Sequence, residues 1–340
     1  MEADKYFDDA LQLFTSLPSF KTDVLLLAGR LVHLNTPSEA LRNLFLPALS
    51  HLVVDKNNKQ PGLTIWYAEG KNLAGKLNAP PWAEFNAQGY NASNENGDVR
   101  VFFQPWQKQV FLYSKSKQTA IYWVDTVSDV PWWEVTFSFR IIFHFWSYNL
   151  PAQLVHAGAI ANETTGVLIT GPSGSGKSTS CLNLLKAGYK YLGDDYVWIE
   201  FDETPVVHAL YQTAKIEADN LRGKFYDWMP FIKNSQTYND EKAIFDIKEL
   251  FPQQWLPCIT LKAIVLPAIG KRQYSSFHNA PPSKALLCMA PTTLHHLPHN
   301  RDISYKKLSY LSSRIPAYTW MLGYDVQNFQ SSFHNFINNV

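Results

Sequence analysis

Apolar residues are distributed along this chain in two styles, and the style changes near residue 150. In the first stretch, residues 1–20 have helical spacing and stop at Pro18. The run VLLLAGRLVHL at 24–34 predicts a strand. Capping residues and Glu39 follow, so a helix is predicted through EALRNLFLPALSHL, bent at Pro47. A short strand is expected at 62–67, and alternation predicts three more at 99–104, 109–114 and 119–124. Between them, Asn78-Ala-Pro-Pro-Trp and Asn91-Ala-Ser-Asn-Glu-Asn-Gly are turn chemistry, and the second reads as a hairpin tip. Residues 1–125 therefore predict a small α+β domain with an antiparallel sheet. Pro131 then opens an aromatic helix that runs to about 149–151. Its segment VTFSFRIIFHFWSY is too short to span about 30 Å of hydrocarbon, and Arg140 and His144 interrupt it. A buried helix is predicted, with no membrane span.

Beyond this point short apolar runs alternate with helical spacing. Strands are expected at 154–161 and 166–170, and a second, α/β domain is predicted over 126–340. The string GVLITGPSGSGKSTSCLNLLKAGY places an apolar strand, a glycine-rich loop and a helix in the order of a phosphate-binding loop. Glycines 171, 174 and 176 let backbone N–H groups turn inward, with Ser173 and Ser175 between them, and the helix N-terminus adds its positive end. Lys177 offers a charge to the β- and γ-phosphates, Ser178 a hydroxyl to Mg²⁺, and Thr179 lies towards the α-phosphate. ATP and Mg²⁺ are the expected cofactors. Asp194 and Asp195 follow 17 and 18 residues after Lys177, inside a strand predicted over 190–199. On an unbroken strand they point to opposite faces. One acid suits magnesium, and the other suits acceptance of a proton from an attacking hydroxyl.

Composition narrows the field. The 340 residues include 11 Trp, 17 Tyr and 21 Phe, with 17% charged residues, a composition of folded chains rather than disordered ones. Lys+Arg 30 against Asp+Glu 29 gives no charge excess for nucleic acid or an anionic membrane. Three scattered cysteines, Cys181, Cys258 and Cys288, suit neither a disulfide framework nor a zinc knuckle. The N-terminus lacks a basic region followed by an apolar stretch, so a cytoplasmic protein is expected.

His156-Ala-Gly, the loop GPSGSGKST and Gly188-Tyr-Lys-Tyr-Leu-Gly-Asp-Asp together resemble the HPr kinase/phosphorylase family. The likeness is firm over about 150–200 and looser through Tyr211-Gln-Thr-Ala-Lys215, Glu241-Lys242-Ala and 261–267, which look like the HPr-kinase-related enzymes of peptide-tailoring clusters, including lasso-peptide kinases. The resemblance implies a kinase core similar to that of phosphoenolpyruvate carboxykinase. It also implies transfer of a phosphoryl group to a serine-type hydroxyl of a peptide or protein. On matching positions, Lys177 is the phosphate lysine, Ser178 the metal-linked serine with Asp194 beside it, Asp195 the general base and His156 the active-site histidine. The chain departs from the family at Pro172 and Thr179 and lacks the glycine-rich stretch after Asp-Asp. These departures turn the expectation from HPr towards a dedicated acceptor, with homo-oligomer formation left open.

Two alternatives share these residues: a kinase or carboxykinase-like enzyme for small molecules, and a non-catalytic nucleotide-binding regulator. Lys215 and Lys242 read as surface lysines, with stabilisation of transferring phosphate charge as the alternative, Glu217 as a minor candidate metal ligand, and His295, His296 and His299 as a polar loop.

Overall fold

The computed structural model describes residues 2–17, 19–55, 59–73, 77, 97–297 and 299–340. The turn-rich strings at 78–82 and 91–96 lie outside them. The chain forms two compact units, Met1–Leu150 with Leu297–Arg301, and Pro151–His296 with Asp302–Val340. Residues 126–150, expected to open the second domain, belong to the first unit.

The first unit runs α1 (Glu2–Thr15), β1 (Lys21–Leu27), β2 (Arg30–Thr36), α2 (Glu39–Leu49), β3 (Val53–Val54), β4 (Leu63–Glu69), β5 (Val99–Gln104), β6 (Gln109–Ser114), β7 (Thr119–Val124), α3 (Trp132–Thr136) and α4 (Arg140–Ser147). Among the described residues its strands form one sheet in the order β3-β1-β2-β4-β7-β6-β5. The sheet is mixed rather than antiparallel, because β4 pairs in parallel with β2 and β7. Both faces are covered. Phe7 and Phe14 of α1 join Val110, Leu112 and Ile121 on one face. On the other, Phe45 meets Tyr67, Tyr122 and Phe139.

Two predicted elements are broken. The strand expected over 24–34 is a hairpin, with Ala28 and Gly29 both at positive φ, the geometry that follows strand twist. The aromatic helix stops at Thr136 and restarts at Arg140, with Phe139 left-handed between. A buried ion pair, Arg140 Nη2 to Glu134 Oε1 at 3.1 Å, crosses that break. His299, expected in a polar loop, is fully buried, and its Nε2–H donates to Val101 O at 2.8 Å.

The second unit is mixed α/β. It continues with β8 (Ala152–Val155), β9 (Gly158–Ala161), β10 (Gly166–Ile169), α5 (Lys177–Lys186), β11 (Lys190–Gly193), β12 (Val197–Glu200), β13 (Val206–His208), β14 (Thr213–Ile216), α6 (Ala218–Lys224), β15 (Ala243–Asp246), α7 (Ile247–Leu250), β16 (Cys258–Ile269), β17 (Ser276–Ala280), α8 (Pro282–His296), α9 (Arg301–Arg314), β18 (Ala317–Leu322) and α10 (Val326–Ile337). The main sheet follows β11-β9-β10-β16-β13-β12-β8, with β18 on β16 and β17 on β18. Strand β16 joins two limbs: its first residues pair with β13, and later ones run parallel to β10 and β18. Alternate residues of β10 explain the layers. Val167 and Ile169 face α5 and α10, whereas Leu168 faces α8 and α9.

Candidate active site

The two limbs of the sheet set the site. Residues 154–161 and 190–199, each expected as one strand, both break where they pass from limb to limb. Val155 pairs with Val197 in one limb and Ala159 with Gly193 in the other. Between those rungs, His156 and Ala157 on one chain segment, and residues 194–196 on the other, belong to no strand. The breaks lie side by side. His156 Nε2 is therefore 3.0 Å from Asp195 Oδ1. Gly158 permits the approach: a Cβ there would stand 2.4 Å from Cys181 Sγ and 3.2 Å from Asp194 Cα.

The kink frees the two acids from strand alternation. Asp195 is buried, and its second oxygen, Oδ2, lies 2.7 Å from Lys215 Nζ of β14. Burial pushes this carboxyl up, but Lys215 and then His156 outweigh it and hold it well below the usual carboxylate range. Asp194 goes the other way, raised by burial and then by Asp195. It is only 1% exposed. The Tyr191 hydroxyl donates to its Oδ1 at 3.0 Å, and its Oδ2 has no hydrogen-bond partner among the described residues.

The loop at 171–176 joins β10 to α5. Gly174 and Gly176 are at φ 77° and 99°, a region that favours glycine. No side chain caps α5, so its first N–H groups face the loop. Ser173 is exposed, Ser175 is half-buried, and Ser175 N–H donates to Pro172 O. Lys177 Nζ donates to Gly171 O at 2.9 Å and Pro172 O at 3.2 Å, which keeps it over the loop. Burial lowers its pKa, opposed by Asp195. Ser178 Oγ approaches Asp194 O at 3.4 Å, tying the loop to the acids. Thr179 is half-buried on α5.

These contacts join His156, Asp195 and Lys215 in one cluster and Ser178 to Asp194 beside it. Lys215 is no surface lysine. Lys242 pairs instead with Glu217 Oε1 at 2.5 Å. Helix α8 adds two residues that sequence spacing did not indicate: Thr293 Oγ1 accepts the His156 backbone N–H at 3.2 Å, and the His296 ring lies 4.7 Å from the His156 ring. His295 and His296, expected in a polar loop, form the exposed last turn of α8. The described residues hold no group of three or more His, Cys, Asp or Glu side chains suited to a metal ion. They contain no helix long and apolar enough to cross a membrane.

No family model matches this chain, and no curated protein matches it. Among solved structures, the Hpr(Ser) kinase/phosphatase from Coxiella burnetii aligns at 14% identity and a TM-score of 0.32, over 55% of this chain and 97% of that one. A likeness that slight bears on neither fold nor function.

Proposed function

We propose that this chain is an ATP- and Mg²⁺-dependent phosphotransferase that moves the terminal phosphoryl group to a serine-type hydroxyl of a peptide or protein. The observation that carries this is the paired strand break, which seats Asp195 between His156 and Lys215 and ties Asp194 to the start of α5.

The residues fit the two groups the reading requires. Gly174, Gly176 and the uncapped start of α5 suit a polyphosphate, which Lys177 would hold. Ser178 and Asp194 would hold Mg²⁺, since Asp194 presents a buried carboxylate oxygen without a hydrogen-bond partner. Magnesium needs few protein ligands when phosphates share it. The bound ion would neutralise charge that develops on the phosphate oxygens.

Asp195 accepts the proton of the acceptor hydroxyl. Its low pKa makes it a weak base, but phosphoryl transfer depends mainly on placement and electrostatics. His156 and Lys215 fix both of its oxygens. The acceptor class follows the sequence resemblance of residues 150–200.

Transfer from ATP to candidate acceptors tests the reading, using the wild type, Asp195→Asn and Lys177→Ala. Asp195→Asn should lower transfer by about 10²–10⁴-fold with ATP binding retained. Lys177→Ala should lose nucleotide affinity. Intact transfer in Asp195→Asn removes Asp195 as the base. Magnesium-dependent ATP binding with no acceptor ever phosphorylated replaces the enzyme with a nucleotide-binding regulator.

A further inference from the structure

A cleft of about 810 Å³ opens beside the glycine-rich loop, with Gly176 and Thr179 on its edge. Its opposite wall comes from the carboxyl ends of β16 and β18 and the start of α10, through Ile269, Leu322, Tyr324 and Val326. Loop and wall touch: a Cβ on Gly176 would lie 3.1 Å from Leu322 Cδ1 and 4.0 Å from Ile269 Cγ1. Ile269, Tyr324 and Val326 are 71%, 74% and 70% exposed. Three large apolar side chains grouped at one rim are a surface suited to covering by a ligand.

Helix phase decides which part of a ligand this cleft takes. Counting about 100° per residue from Ser178, Thr179, Asn183 and Lys186 fall at about 100°, 140° and 80°. All three line the cleft. Cys181 falls at about 300°, on the flank that faces Gly158. Ser178 itself meets Asp194. The cleft therefore lies on the side of α5 turned away from Asp194 and Asp195. An acceptor hydroxyl has to reach Asp195, so it is not seated here. The part of a nucleotide remote from the transferred phosphoryl group is.

We infer that this cleft seats the nucleoside of a nucleoside triphosphate, its flat base against Ile269, Tyr324 and Val326. The inference rests on the phosphotransferase reading above, which puts the polyphosphate on the loop. The test is calorimetric titration of the full chain in magnesium chloride with ATP and, separately, with inorganic tripolyphosphate. Tyr324→Ser/Val326→Asn removes apolar cover at exposed positions without adding charge. The double variant should lose about tenfold in ATP affinity, about 1.4 kcal/mol, and keep its tripolyphosphate affinity within about twofold. Val326→Asn alone serves if the double variant fails to fold, with a smaller loss confined to ATP. Unchanged ATP affinity, or equal losses for both probes, overturns the nucleoside seat while leaving the loop as a phosphate site. Failure of the wild type to bind either probe overturns the phosphotransferase reading and this inference with it.

Discussion

Each unit of this protein buries charge at a break in its chain, and the two sites differ in what they leave open. In the first unit, Glu134 and Arg140 meet across the interrupted aromatic helix, one acid against one base. Burial raises the Glu134 carboxyl and Arg140 opposes the rise. In the second unit, two adjacent acids share the break. Asp195 is held by His156 and Lys215, and Asp194 is left with a carboxylate oxygen that has no hydrogen-bond partner among the described residues. A single ion pair can hold a bend. A cluster with spare acceptor capacity beside unpaired helix N–H groups can bind something. Buried charge does not mark a functional site by itself.

That contrast has measurable consequences. Arg140→Ala leaves Glu134 buried without its cation, so unfolding free energy should fall by about 3–5 kcal/mol, read from a urea midpoint. The double change Glu134→Leu/Arg140→Met should recover most of that loss. The same unit should also be acid-sensitive. Burial pushes the His299 imidazole down to about 4, below its ordinary 6.5. As pH falls from about 7 to about 4, the unfolded chain takes up a proton the native chain refuses, and stability drops by up to about 3 kcal/mol. His299→Gln should flatten that slope in the thermal midpoint. In the second unit the sign reverses. Asp194→Asn removes a buried charge and should stabilise the magnesium-free chain by about 0.5–2 kcal/mol, because an amide is cheaper to bury than a carboxylate. It should also abolish the magnesium dependence of ATP binding. A loss as large as that of Arg140→Ala would make the acid cluster structural and end the contrast. The smallest effect belongs to Lys242→Ala, whose exposed partner Glu217 limits the change to less than about 1 kcal/mol.

Much of this was legible in the residues. Strands β5, β6 and β7 fall at the predicted bounds, because Lys- and Gln-bearing turns separate their apolar runs. The loop from Gly171 and the helix from Lys177 lie where the glycine pattern puts them. The breaks were not legible. Ala28-Gly29 sits between apolar runs on a sheet covered on both faces, so no polar alternation marks the turn. The breaks at His156 and Asp194 arise because β16 pairs with different partners along its length, a long-range effect that no local window contains. Lys215 was undervalued for the same reason, since its partner Asp195 lies in the break between β11 and β12, distant in sequence from β14.

Strand β16 also bears on when the site can exist during synthesis. His156 and Asp195 are 39 residues apart in sequence, and both limbs they bridge rest on a strand that ends at Ile269. Thr293 and His296, which touch His156, come later still. At about 5–20 residues per second, a ribosome exposes the glycine-rich loop several seconds before that support is complete. The growing chain therefore passes through a stage in which the loop is present and the acid–histidine pair is not, and assembly of the reactive cluster waits for residues up to His296.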